Sequence, residues 1–387
     1  DGTMPMQIDM LLAYLQAKMK ERVFVIFPEH WKKYLPEHLH KWIGRPLLLL
    51  RALYGYNYSG KFLYQDQASF LHEQNFVQAA PGYWVKKLTH GRTIRYLHYV
   101  DDILVDSQDT AALNDFIQKL GERFDVECKP RADWYLQTRI QQDKDKNISL
   151  DQTRYSKSMI QRFLPQLANQ EPSPQELRKY QSPMKTGCIL LKSDNAKSKE
   201  ESEQLEEEFG FKYLELIGCF NWLSYTCYEE LFCIRRLCRS MNMPGRPHFL
   251  AALHLLHHFR CHPPKPLIFY HDHTKSPIVR LLQNNEQYKQ LLQLMEHDEN
   301  KEPGSHIASS QMIFADSSHC DAGEGRSTAC DLQVYQGGIV DHTSWVPDPV
   351  SLSSAESENN CYSVAIIKAK YITRILTFVR TLSLIHI

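Results

Sequence analysis

Hydrophobic positions between Met6 and Pro165 recur in short β-like runs separated by amphipathic stretches, the pattern of a chain that alternates strands with helices. A first strand is expected at Met6–Asp9 and another at Val23–Phe27. The apolar run Leu47–Leu50 reads as a short strand, and Gln65–Gln74 as an amphipathic helix. Thr93-Ile-Arg-Tyr-Leu-His-Tyr-Val100 and Ile103-Leu-Val105 are two β-rich runs that meet at Asp101-Asp102, which predicts a hairpin. A helix is expected over Thr110–Phe124, then strands at Trp134–Gln141 and Asn147–Leu150. Residues 166–210 break this pattern with Pro172, Pro174, Pro183 and the charged stretch Lys197–Glu208, and read as a linker or a solvated helix. Phe211–Phe259 is helical and apolar, 285–309 is polar again and is taken as a boundary, and 310–381 reads strand, hairpin, helix. No internal repeat is visible.

A chain of 387 residues has room for two or three domains with real cores. With 43% hydrophobic and 23% charged residues it reads as an ordinary soluble protein. A formal net charge of zero leaves nucleic acid open as a partner, because such binding needs a local basic groove and not a basic total. No apolar run is long enough to span a bilayer; Leu47–Leu50 is short and flanked by Arg45 and Arg51. Without a secretory signal at the start, the cytosol is the default setting. The ten cysteines sit singly, with no close CxxC pair, and are expected to be reduced and mostly buried. Both ends look cut: residue 1 is not methionine, and Leu382-Ser-Leu-Ile-His-Ile387 resembles a translated sequencing adaptor, a natural apolar tail being the alternative.

The candidate chemistry starts with carboxylates. Joining nucleotides to a primer takes two divalent ions, and Mg²⁺ prefers a few carboxylates plus phosphate oxygens to a full protein cage. Asp9 at a strand end and Asp101-Asp102 at a hairpin tip are placed to supply them. Taken singly, each is ordinary turn or cap chemistry. In combination they resemble the reverse transcriptase of copia-type LTR retrotransposons. Gln7-Ile-Asp-Met-Leu-Leu-Ala-Tyr-Leu15 is similar to that family's first palm motif, and Tyr99-Val-Asp-Asp102 to its tetrapeptide. Arg51-Ala-Leu-Tyr-Gly55 is similar to its Leu-Tyr-Gly segment. Trp134-Tyr-Leu-Gln-Thr-Arg-Ile140 with Ile148-Ser-Leu-Asp-Gln-Thr-Arg-Tyr155 resembles the primer grip and the start of the thumb. The resemblance covers residues 4–165 and resumes over 211–266. It implies that Asp9 and Asp101 are metal ligands, with Asp102 beside them in a role left open. Tyr14 would stack under the incoming sugar and exclude a 2′-hydroxyl. Tyr54 and Gly55 would contact nucleotide and template, and Trp134, Tyr135 and Leu136 the primer terminus. One departure stands out: Tyr56-Asn-Tyr-Ser-Gly60 replaces the family's Leu-Lys-Gln-Ala-Pro, which puts those nucleotide contacts in doubt. The fingers lobe expected upstream of the first aspartate is missing.

Gln311-Met-Ile-Phe-Ala-Asp316 is a strand ending in an aspartate, Leu332–Val340 a hairpin turning at Gly337-Gly338, and Ser353 opens a helix. This order, with Ser327-Thr328 and Ser353-Ser-Ala-Glu-Ser-Glu358, resembles the beginning of a copia-type RNase H. The resemblance implies Asp316 and Glu358 as catalytic metal ligands. Glu356 is the runner-up, because its spacing from Ser353 is that of a capping box. The family's third carboxylate lies beyond the last residue.

His254, His257, His258, Cys261 and His262 are spaced like a metal cluster, yet they fall where the family has a basic, surface-facing helix, and zinc is not expected. Cys227, Cys233 and Cys238 read as core thiols, His271-Asp-His273 as a polar loop and Glu200–Glu208 as a solvated face. The expected class is α+β: a reverse-transcriptase palm with the start of the thumb over 1–165, a linker over 166–210, helical thumb and connection over 211–304, and the N-terminal part of an RNase H-like α/β domain over 305–381, with the adaptor-like tail at 382–387. The function implied is RNA-directed DNA polymerase with an incomplete ribonuclease H, using two Mg²⁺ or Mn²⁺ ions per site. Its partners would be RNA template, DNA primer, RNA–DNA hybrid, dNTPs and the integrase and protease of one polyprotein, with no membrane. The setting would be a cytoplasmic retroelement particle, the nucleus being the alternative compartment. A decayed copy that grips nucleic acid without chemistry is the competing reading, and the fragment itself is expected to polymerise poorly.

Overall fold

The computed structural model describes residues 4–286, 311–318, 326–335, 338–347, 350–351 and 353–384. Most of the polar boundary at 285–309, the turn residue Gly337 and the end of the tail from 385 lie outside the described residues. The chain divides into two compact units, one on the residues up to Tyr135 and one on Leu136–Thr373.

The first unit runs β1 (Met6–Met10), α1 (Ala13–Gln16), β2 (Phe24–Ile26), β3 (Pro46–Leu48), α2 (Ser59–Glu73), β4 (Val77–Ala80), β5 (Tyr83–Lys87), β6 (Thr93–Tyr99), β7 (Asp102–Ser107), α3 (Thr110–Arg123), β8 (Val126–Lys129) and β9 (Trp134–Tyr135). Its main sheet has the order β4-β5-β6-β7-β1-β8, and every neighbouring pair is antiparallel. Side chains alternate across it. Ile8 and Met10 of β1, Ile94 and Tyr96 of β6, and Ile103 and Val105 of β7 are buried in one core with Phe62, Leu63, Phe70 and Leu71 of α2 and Phe116 and Leu120 of α3. Each fully buried chain of this kind is worth about 1.5–3 kcal/mol, so the sheet face under the helices is fixed by burial. A one-residue slip of β1 would turn Ile8 out and Asp9 in. Asp109 starts α3 by accepting a hydrogen bond from Ala112 N at 3.0 Å.

Three differences from the sequence expectation lie here. The helix expected from Gln65 begins at Ser59. The β4–β5 hairpin was not anticipated; it turns at Pro81-Gly82, with Gly82 at φ +74°. The single strand expected over Trp134–Gln141 is broken, because Leu136 and Gln137 both take positive φ.

The second unit opens with β10 (Thr138–Gln142) and β11 (Ile148–Asp151), which pair antiparallel; β12 (Leu267–Phe269) adds to β11 from far along the chain. The boundary drawn at 165 therefore falls inside this unit. Its helices are α4 (Thr153–Phe163), α5 (Pro174–Lys179), α6 (Lys199–Phe209), α7 (Tyr213–Leu223), α8 (Leu231–Cys238), α9 (Arg246–Cys261) and α10 (Pro277–Gln283). The stretch 166–210 is no simple linker: Met184, Leu190 and Leu205 are buried in the same core as α7 and α9. Glu200–Glu208 is solvated on one face only, with Ser202 and Leu205 turned inward.

The expectation that α9 faces the surface is also corrected. Phe249, Ala252, Leu255, Leu256 and Phe259 are completely buried, which makes α9 the centre of the unit. Its histidines bond to backbone carbonyls: His254 Nε2 to Ser182 O at 2.9 Å, His258 Nδ1 to Tyr180 O at 2.7 Å and His262 Nε2 to Leu177 O at 3.1 Å. His257 stacks on Tyr180 at 4.6 Å. They are packing and bonding groups.

The last block is an antiparallel sheet of β13 (Gln311–Ser317), β14 (Ala329–Tyr335) and β15 (Gly338–Trp345), followed by the helix α11 (Ser354–Leu384). Val334 and Ile339 share a small core with Leu267, Phe269 and Leu150, on the other side of the polar stretch. Among the described residues no helix is long and apolar enough to cross a membrane, and the nine cysteines found there are thiols, all but Cys128 and Cys330 at least partly buried.

Candidate active site and its relatives

The antiparallel register of β1 and β7 sets Asp9 directly opposite Asp102. Both alternate with inward-facing neighbours, Ile8 and Ile103, so both carboxylates project from the sheet face away from α2 and α3. Asp101 occupies the hairpin tip, exposed, and its carbonyl accepts from Met10 N at 3.1 Å, tying the tip to β1. The expected trio is thus brought to one end of three adjoining segments.

The tip is strained. Between Tyr99 and Asp102 the two-residue loop has Val100 at φ +61° with Asp101 on the ordinary side, a II′-like pattern that favours glycine at the first place. A β-branched residue there costs about 1–3 kcal/mol. Gln67, buried on α2, donates from Nε2 to Val100 O at 3.1 Å and so props the loop from beneath. Nothing in the chain's pattern marks this residue, since a lone polar position in a helix carries no motif.

Burial first, then the charges of Asp101 and Asp9, raise the Asp102 carboxyl above the usual carboxylate range, against a hydrogen bond from Gln7 and the charge of Lys129. Burial first, then the charges of Asp102 and Tyr99, push the Tyr135 phenol up from its ordinary value. Trp134 is half-buried in the same short strand, and Leu136 stands at the left-handed break that follows it. Tyr14, on α1, meets Tyr54 edge to face at 4.9 Å, and Gly55 next to it takes φ +88°. The segment Tyr56–Gly60 is occupied by an aromatic cluster of Tyr56, Tyr58 and Phe62.

Among the described residues no three His, Cys, Asp or Glu side chains form a ready-made metal cage. The donor set at Asp9, Asp101 and Asp102 is nevertheless one of hard oxygens, and Asp102's resistance to ionising is what a nearby cation would relieve. These residues fit a divalent ion that arrives with phosphate oxygens of its own.

In the second unit Asp316 is exposed near the end of β13, and Glu358 lies in the first turns of α11. Burial first, then the charges of Asp316, Asp331 and Glu358, raise the thiol of Cys330. Glu358 Oε2 is buried and has no hydrogen-bond partner among the described residues. Ser353 Oγ accepts from Glu356 N at 3.1 Å, the first half of the expected capping box. Asp316 also lines a cavity of about 700 Å³ with Asp331, His342, Thr343 and residues of α8. Asp331 was not anticipated: its buried carboxylate is bound by Lys368 Nζ at 2.7 Å, Gln333 Nε2 at 2.9 Å and Thr343 Oγ1.

A twisted antiparallel sheet backed by two helices, with carboxylates at a strand end and a hairpin tip, defines a class, and residues 1–176 match the family described as reverse transcriptase (RNA-dependent DNA polymerase). The chain is 24% identical over 272 residues to the Retrovirus-related Pol polyprotein from transposon RE2 of Arabidopsis thaliana, which covers 70% of this chain and 17% of that protein. It is 24% identical over 252 residues to the corresponding polyprotein from transposon RE1, covering 65% and 15% respectively. With the motifs, these matches support a retrotransposon Pol polyprotein of the copia type, with a reverse-transcriptase domain in residues 1–176. The chain spans less than a fifth of the length of either relative.

Proposed function

We propose that the first unit is an RNA-directed DNA polymerase palm, carrying out two-metal nucleotidyl transfer at Asp9 and Asp101 with Asp102 beside them. The observation that carries this is the cross-strand pairing of Asp9 with Asp102 at the Asp101 tip. When bound, two Mg²⁺ or Mn²⁺ ions would activate the primer 3′-hydroxyl and neutralise the triphosphate. The chain's own part is placement. The β1–β7 ladder holds the carboxylates, and Gln67 holds the strained tip. The Tyr14 ring, braced by Tyr54 and followed by Gly55, closes the sugar side and would turn away a 2′-hydroxyl. Trp134, Tyr135 and Leu136 would seat the primer terminus, where small displacements are costly. In the second unit Asp316 and Glu358 would be the metal ligands of an incomplete ribonuclease H acting on RNA–DNA hybrid. Partner domains of the same polyprotein, integrase and protease, and a particle in the cytoplasm or nucleus belong to this reading.

A second reading has its own observation. The aromatic run Tyr56–Tyr58 stands where nucleotide contacts are expected, as in a decayed copy that binds nucleic acid without chemistry. One experiment separates the two: Mg²⁺-dependent primer extension on an RNA template, by this chain and by a longer Pol segment containing it, against Asp101→Asn. Extension that falls at least about 10³-fold in the variant supports the polymerase. A folded, template-binding wild type that never extends leaves the decayed copy.

A further inference from the structure

Residues 17–52 leave the first unit as one long arm. Its two sides are tied by Ala52 N to Ala17 O at 3.0 Å, Met19 N to Leu50 O at 3.2 Å and Leu49 N to Val23 O at 2.9 Å, and then by the pairing of β2 with β3. Beyond the strands the chain makes two short 3-10 turns, Glu29–Lys33 and Glu37–Trp42, before Gly44 N bonds back to Phe27 O at 3.0 Å. Asp66 of α2 holds the base, through Lys18 N at 3.1 Å and Lys20 Nζ at 3.3 Å. Tyr14 precedes the arm and Tyr54 follows it, so it is rooted where those two rings meet.

No residue from Lys18 to Arg51 is buried. A two-stranded ribbon has little stability of its own, and this one adds nothing to the core. Exposed apolar groups gathered in one place mark a contact surface. At the tip of the arm, residues 27–45, those groups are aromatic: Trp31, Tyr34 and Trp42 are 44%, 72% and 38% exposed.

Cations are interleaved with these rings. The tip holds Lys32, Lys33, Lys41 and Arg45 against two acidic residues, Glu29 and Glu37. Lys20 at the base is neutralised by Asp66, but among the described residues none of the four cations at the tip forms an ion pair. Lys33 stands over the Tyr34 ring and Lys41 over the Trp42 ring, so charge and ring are presented together. Trp31 stacks on Phe27 at 5.9 Å, which steadies its ring while leaving it exposed.

The ligand has to use both features. A lipid surface takes up the apolar face of a continuous amphipathic helix, which turns of five and six residues do not provide. An acidic peptide would meet the cations and leave the flat rings idle. A single strand of nucleic acid meets both, its phosphates on the cations and its bases stacked on the rings. We propose that the tip of this arm is a binding surface for unpaired RNA or DNA, with bases on Trp31, Tyr34 and Trp42 and phosphates on the four cations between them. Every base has a flat face, so recognition is indifferent to sequence. Neither a carboxylate nor a divalent ion takes part, so the inference stands apart from the polymerase reading. A strand held here is tethered to the unit that carries Asp9, Asp101 and Asp102.

The test is a binding measurement without catalysis. The whole chain, in buffer free of divalent ions, is titrated with labelled single strands of about twelve thymidines or uridines. Both should bind, and at least about tenfold more tightly than polyglutamate of equal charge, which has no bases to stack. Trp31→Ala and Trp42→Ala should each weaken binding of the single strands about tenfold, with circular dichroism unchanged because neither ring belongs to a core. Tyr225→Ala, which removes an exposed ring of the second unit, should leave binding as it was. Equal affinity of the wild type for polyglutamate and the single strands overturns the proposal without any variant, by showing attraction to charge alone. Losses in the two tryptophan variants no larger than in Tyr225→Ala overturn it too, by putting the strand elsewhere. Primer extension is read separately, so its failure would sink the polymerase reading and leave each of these outcomes its meaning.

Discussion

His98 is a buried imidazole that cannot take up a proton without losing its bond from Trp84. Its folded pKa is about 4 against an ordinary 6.5. Below the ordinary value the unfolded chain binds a proton that the folded chain refuses, so stability is complete above about pH 6.5 and drains as pH falls towards 4. The full loss is on the order of 3 kcal/mol. Thermal unfolding followed from pH 7 to pH 4 should therefore fall more steeply in the wild type than in His98→Gln, which has no proton to gain. Parallel curves would show that His98 is not held neutral. At this scale the sequence displayed the acidic residues well, because Asp101 and Asp102 are contiguous and flanked by β-forming residues. It hid Gln67 and Asp331, whose roles come from a partner across the fold: Val100 for one, Lys368 for the other.

Elements were legible where local pattern and tertiary packing agree. The β6–β7 hairpin and α3 appear close to where periodicity puts them, because burial of Ile94, Tyr96, Ile103 and Val105 obeys the period of two. The β4–β5 hairpin escaped because Val77-Gln-Ala-Ala80 has little β character, although Pro81-Gly82 was a turn signal that could have been used. The supposed linker escaped for a different reason. Its helix α5 carries a full capping box, Ser173 with Glu176 and Pro174 in the first turn, and that signal was masked by the prolines around it. The distinction is measurable. Leu205→Ala should destabilise the second unit by about 2–5 kcal/mol in urea unfolding, as a core position does, whereas a linker residue would be silent.

Across the whole molecule the zero net charge conceals a strong local bias. Residues 18–51 contain eight Lys and Arg against three Glu. Trp31, Tyr34 and Trp42 are exposed among them, with Lys33 over Tyr34 at 4.7 Å and Lys41 over Trp42 at 5.5 Å. Interleaved cations and aromatic faces suit a strand of nucleic acid. Replacing Lys32 and Lys33 by glutamine should reduce the slope of log affinity against log salt by about 1.5, and an unchanged slope would send the contact elsewhere. The division of the chain was less legible than its chemistry. Strand β12 returns to β11 across more than a hundred residues, and no local pattern announces such a partner.

The place of β1 in its sheet has a further consequence, for how the polypeptide reaches its folded form. It precedes the other strands of its unit in the chain, yet it lies between β7 and β8, two of the later ones. Asp9 must wait, unpaired, until the chain has closed a loop that takes in most of the unit, and contacts so distant in sequence make folding slow. Until then β7 and β8 expose open edges of the kind that attract other chains. The residue that completes the carboxylate trio is thus also the one whose strand seals the sheet, so assembly of the trio and protection from aggregation arrive in the same event.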